Sequence, residues 1–78
     1  MENVGERYVA EINTEGKHLR LFSELTMTGA IALVFDMKSR QAIIQESVND
    51  LKEGQEKCEE CAKGLLNTPP SIVWEHQP

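Results

Sequence analysis

The stretch Ser47–Leu66, "SVNDLKEGQEKCEECAKGLL", is where the chain changes its period. Val48, Leu51, Gln55, Cys58, Ala62 and Leu65 recur at steps of three and four, the spacing of one face of an α-helix. The opposite side carries Lys52, Glu53, Glu56, Lys57, Glu59, Glu60 and Lys63, with Glu53–Lys57 and Glu59–Lys63 in the favourable i,i+4 order. Ser47, followed three residues later by Asp50, approximates a capping box, so the spacing predicts a helix from about Val48 to between Lys63 and Leu66. Gly54 in a helix interior costs about 1 kcal/mol relative to Ala. Its presence points to a close approach to another element or to a slight bend. Gly64 reads as the C-terminal cap, with Leu65 and Leu66 folding back onto the core. Pro69 and Pro70 end any helix.

Upstream of Ser47 the period is two. In Arg7–Asn13, "RYVAEIN", Tyr8, Ala10 and Ile12 share a face opposite Val9 and Glu11. In Lys17–Leu25, "KHLRLFSEL", Leu19, Leu21, Ser23 and Leu25 oppose His18, Arg20, Phe22 and Glu24. The turn "NTEG" between them makes a β-hairpin. "TMTG" is a second connection. The apolar run Ala30–Asp36, "AIALVFD", has large residues on one side and small ones on the other, and pairs through "MKSR" with Gln41–Glu46, "QAIIQE". "SIVWEH" reads as a last strand with Ile72 and Trp74 on one face. The expected fold is α+β: a small antiparallel β-sheet of four to five strands, in β-β-β-β-α-β order, packed against one helix in the C-terminal half. The 78 residues form a single domain, 1–78, with 1–5 as a loose tail.

Composition sets limits on function. Thirteen acidic residues against eight basic ones give a net charge of −5, and the basic residues are scattered. Phosphate backbones are bound by clustered Lys and Arg, so neither nucleic acid nor an anionic membrane is an expected partner. The glycines form no phosphate loop, which disfavours nucleotides. No run approaches the roughly 18 apolar residues of a membrane helix. The first residues carry no basic and apolar leader pattern, so a cytoplasmic location is expected. Two cysteines exclude a disulfide framework.

Those cysteines, Cys58 and Cys61, form a C-x-x-C within the helix. As core residues they are small hydrophobes on the apolar stripe, and this is the preferred reading. A redox pair needs a lowered thiol pKa, whereas these thiols lie mid-helix among Glu56, Glu59 and Glu60. A zinc site would have to recruit His18 and His76, far from the pair in sequence and from each other. No catalytic or cofactor-binding residues are assigned, and no cofactor is expected.

Two surfaces remain for binding a protein. One is the acidic helix face with Glu53, Glu56 and Glu60, suited to a basic partner. The other is the sheet face carrying Val9 and Phe22, joined by Ala30, Ala32 and Val34 if the third strand has the matching phase. That face stays open unless the segment with Trp74 folds over it. The chain therefore reads as a small non-enzymatic interaction or regulatory module that associates with a partner or with itself, the homodimer being favoured. A metal- or thiol-dependent protein built on Cys58 and Cys61 is the alternative.

Overall fold

The structure, a computed structural model, describes residues 4–78. Strands β1 (Arg7–Thr14), β2 (Lys17–Thr26), β3 (Gly29–Asp36) and β4 (Gln41–Val48) precede helix α1 (Leu51–Leu65), and β5 (Glu75–Gln77) follows it. All neighbours are antiparallel, in the order β4-β3-β2-β1-β5. The expected α+β class and element order are those observed.

The β1–β2 hairpin turns on two residues, with Thr14 opposite Lys17. Glu15 and Gly16 both have positive φ, 52° and 73°, which suits the primed turns whose twist matches paired strands. Glu15 also fixes the far end of the helix. Its carboxylate accepts from the backbone N–H groups of Asn67 (2.9 Å) and Thr68 (3.0 Å).

The helix lies across one sheet face. That face presents Ala10 and Ile12 from β1, Leu19, Leu21 and Ser23 from β2, Ala30, Ala32 and Val34 from β3, and Val48 from β4, all buried. From the helix side come Leu51, Gly54, Cys58 and Ala62. Small residues on both surfaces let the helix approach closely. A Cβ built on Gly54 would meet Ser23 Oγ at 2.1 Å, so close approach explains this glycine. Ser23 is fully buried and donates to the Leu51 carbonyl at 2.7 Å, which satisfies its hydroxyl.

Several local expectations are corrected. The helix begins at Leu51, because Ser47 and Val48 still pair with Ile31 and Ala30 in the sheet. Asp50, not Ser47, is the N-cap, with its Oδ1 accepting from the Glu53 N–H at 2.8 Å. Gly64 is helical, and the chain leaves the helix at Leu66 in an extended conformation, so the cap is not a glycine in the left-handed region. Ala30, Ala32 and Val34 lie under the helix, which the close contact requires, and Ile31, Leu33 and Phe35 occupy the other face. Of the expected loose tail, residues 1–3 lie outside the described part. Gly5 is tied down, its N–H donating to the Leu25 carbonyl at 2.9 Å.

Candidate functional site

No described element covers the sheet face away from the helix. Cross-strand pairing arranges its side chains in rows. Glu75, Val9, Phe22, Leu33 and Gln45 form one row across all five strands. Gln77, Arg7, Glu24, Ile31 and Ser47 form the next, and Glu11, Arg20, Phe35 and Ala42 flank it on the other side. Val9, Phe22, Ile31, Leu33 and Phe35 are all half-buried, held by their neighbours in the sheet.

The face divides into two halves. On β1 and β2 the charges are paired: Arg7 Nη1 lies 3.2 Å from Glu24 Oε1, and Arg20 Nε donates to Glu11 Oε1 at 3.0 Å. His18 Nε2 sits 3.0 Å from the other Glu11 oxygen. The His18 and Arg20 contacts together hold the Glu11 carboxyl below its usual 4.5. On β3 and β4 no charge points out of this face. Ile31, Leu33, Phe35, Ala42, Gln45 and Ser47 make an apolar to neutral patch that runs to the outer edge of the sheet. A shallow depression of about 490 Å³ lies on the β1 side, lined by Arg7, Val9, Arg20, Phe22, Val73 and Glu75 among others.

The segment with Trp74 does not close this face. Ile72 and Trp74 pack against the core on the helix side. There the Trp74 indole N–H donates to Glu59 Oε2 at 2.7 Å. Glu59 is thus half-buried and engaged, although its position in the helix pattern assigns it to the solvent side. The contact joins residues fifteen apart through a loop, and no local signal announces it.

The helix face carries four carboxylates and three lysines, counting Glu53, Glu56, Glu59 and Glu60 against Lys52, Lys57 and Lys63. Two of the carboxylates have structural tasks. Glu59 holds Trp74, and Glu53 Oε2 accepts from the Asn49 side chain at 3.0 Å beside the helix start. Glu56 and Glu60 remain exposed, interspersed with the lysines.

Cys58 is fully buried, with Sγ 3.2 Å from the Phe22 carbonyl and 3.5 Å from that of Leu33. Burial pushes its thiol up to about 11. Cys61 is half-buried on the flank facing β4, and burial followed by the Glu46 carboxylate raises its thiol as well. Both thiols are free. Raised values disfavour the thiolate that redox exchange and metal ligation require. His18 and His76 lie on opposite faces of the sheet. His76 pairs with Tyr8 on the helix face, its ring 4.9 Å from that of Tyr8 and its Nε2 2.6 Å from Glu6 Oε2. Among the described residues no three His, Cys, Asp or Glu side chains gather as a metal site, and no buried side-chain polar atom lacks a partner.

Fold and surface together define a single-layer sheet with one helix on one side and a half-apolar open face on the other. Comparisons with protein-family models, curated proteins and solved structures give no match to this chain. Among the described residues no helix is long and apolar enough to cross a membrane.

Proposed function

We propose that this chain is a non-enzymatic protein-interaction module that works in association with a second copy of itself, and that the contact lies on the β3–β4 side of the sheet, not on the acidic helix face. One observation carries this reading: Ile31, Leu33, Phe35 and Ala42 stand on an uncovered, uncharged part of the sheet that runs out to the β4 edge, and contiguous apolar surface marks an interface. Charge supports the same choice. Two chains of net charge −5 repel each other, so a self-contact is best placed where the surface is neutral. The helix face offers less, since Glu53 and Glu59 are engaged within the chain and Glu56 and Glu60 are offset by lysines.

The test compares the native chain with a Glu56→Gln/Glu60→Gln variant by light scattering at low and high salt. Sheet-side association persists in the variant and is maintained or strengthened by salt, because salt screens the repulsion. Loss of association in the variant, or its loss on adding salt, contradicts the proposal.

A further inference from the structure

The strand order leaves two edges, and they differ. β5 is three residues long and offers few free backbone groups. β4 is eight residues long, contains no Pro, Lys or Arg, and carries a single charge, Glu46. Gln41, Ala42, Ile43, Gln45, Glu46 and Ser47 are all exposed. Long edge strands expose a row of unpaired N–H and C=O groups, and proteins ordinarily protect them with lysines, prolines, bulges or a covering element. β4 has one such device. Its register against β3 shifts between Val34 and Phe35, which leaves Ile43 as the extra residue. Beyond that bulge, Ile44–Val48 pair regularly with β3, so their outer side is a regular template too.

We infer that β4 pairs antiparallel with β4 of a second copy across a two-fold axis, joining two five-stranded sheets into one continuous sheet. The inference rests on the self-association proposed above and specifies its geometry. Identical antiparallel edges are self-complementary, as an isologous contact requires. With Gln45 at the axis, Ile44 of one copy lies opposite Glu46 of the other. No carboxylate then faces its own copy, the arrangement that would be unfavourable. The competing geometry stacks the open faces. It would bury Arg7, Glu11, Arg20 and Glu24, whose ion pairs are now half in solvent, and desolvating such charges is costly. Edge pairing leaves them in water.

Two consequences follow on the two faces of the joined sheet. On the open face, Ile31, Leu33 and Phe35 of the two copies flank the axis and form one apolar surface, bounded at either end by the Arg7–Glu24 and Arg20–Glu11 pairs. On the helix face, Ile44 and Cys61, half-buried in the single chain, come toward their copies across the axis.

The experiment combines light scattering with amide hydrogen exchange on the native chain, on Ile43→Lys/Gln45→Lys, and on Phe22→Ser. In the native chain the β4 amides slow by about tenfold or more with rising protein concentration, while those of β5 do not change. The double-lysine variant stays monomeric, although its less negative charge by itself favours association, and Phe22→Ser still dimerises. A dimer that survives the two lysines, or that is lost in Phe22→Ser, overturns edge pairing and leaves self-association standing. A native chain that is monomeric throughout overturns both. If the double variant fails to fold, concentration-dependent protection of β4 in the native chain decides the matter alone.

Discussion

Ser23 Oγ occupies the space that a side chain at Gly54 would need, and the two residues together set how closely helix and sheet approach. An alanine at a helix-interior glycine ordinarily gains about 1 kcal/mol. Here the sign reverses: Gly54→Ala is expected to cost on the order of 1–3 kcal/mol, as overpacking does. Ser23→Ala alone should cost about 1 kcal/mol, the worth of a typical hydrogen bond. Once the hydroxyl is gone the new methyl meets the residue 23 Cβ at 3.0 Å and Val48 Cγ2 at 3.5 Å, so Gly54→Ala is milder in the Ser23→Ala background. Urea midpoints of the four chains test this, and strictly additive effects would contradict the packing described.

The two thiols should behave differently. Cys58, with its thiol pushed up to about 11, carries a thiolate fraction of roughly 10⁻⁴ at pH 7. An aromatic disulfide reagent should label Cys61 slowly in the folded chain and reach Cys58 only when denaturant is added. Rapid, simultaneous labelling of both without denaturant would show that the helix does not bury this seam.

Glu59→Ala leaves the Trp74 indole N–H without its acceptor in a half-buried place. The expected cost is about 1–2 kcal/mol, in the range for a hydrogen bond to a charged group discounted for partial exposure. Trp74 is the only tryptophan, so its fluorescence reports on the site directly. Its emission should shift to the red as the C-terminal segment loosens, whereas Glu60→Ala should leave the spectrum unchanged.

Acid should weaken the fold from its loops inward. Glu15 is held below its usual 4.5 by the Asn67 and Thr68 N–H groups, and Asp36 below its usual 3.8 by those of Ser39 and Lys38. Glu11 is lowered by His18 and Arg20. Each carboxylate binds its proton more weakly when folded than when unfolded. Its contribution is therefore complete above the unfolded value and is lost as pH falls through the lower, folded one. The thermal midpoint should hold down to about pH 5 and then fall, and Glu15→Gln should flatten that fall. A midpoint that rises on acidification would contradict these assignments.

How far the sequence reveals this arrangement depends on where each signal is local. Alternation in β1 and β2 places Val9 and Phe22 on the open face, because each strand has a polar side to set its phase. β3 has none: "AIALVF" is apolar on both sides, so its phase depends on the partner strands and on the helix's need for small residues beneath it. Val48 misleads for a related reason. It stands three residues before Leu51 and so extends the helical series, yet its backbone is committed to Ala30 in the sheet. The tie between Trp74 and Glu59 depends on the path of the chain from 66 to 74, and no periodicity encodes it. Gly54 is the opposite case, since a glycine inside a strong helical pattern signals a close approach before any partner is known.

Whether two copies associate is decided by the molar mass of the chain in solution, measured by light scattering over a concentration series. One chain is 8.8 kDa. The expected mass rises with concentration to twice that value and stops there, as a closed two-fold contact requires. A mass that stays at one chain at every concentration would contradict it.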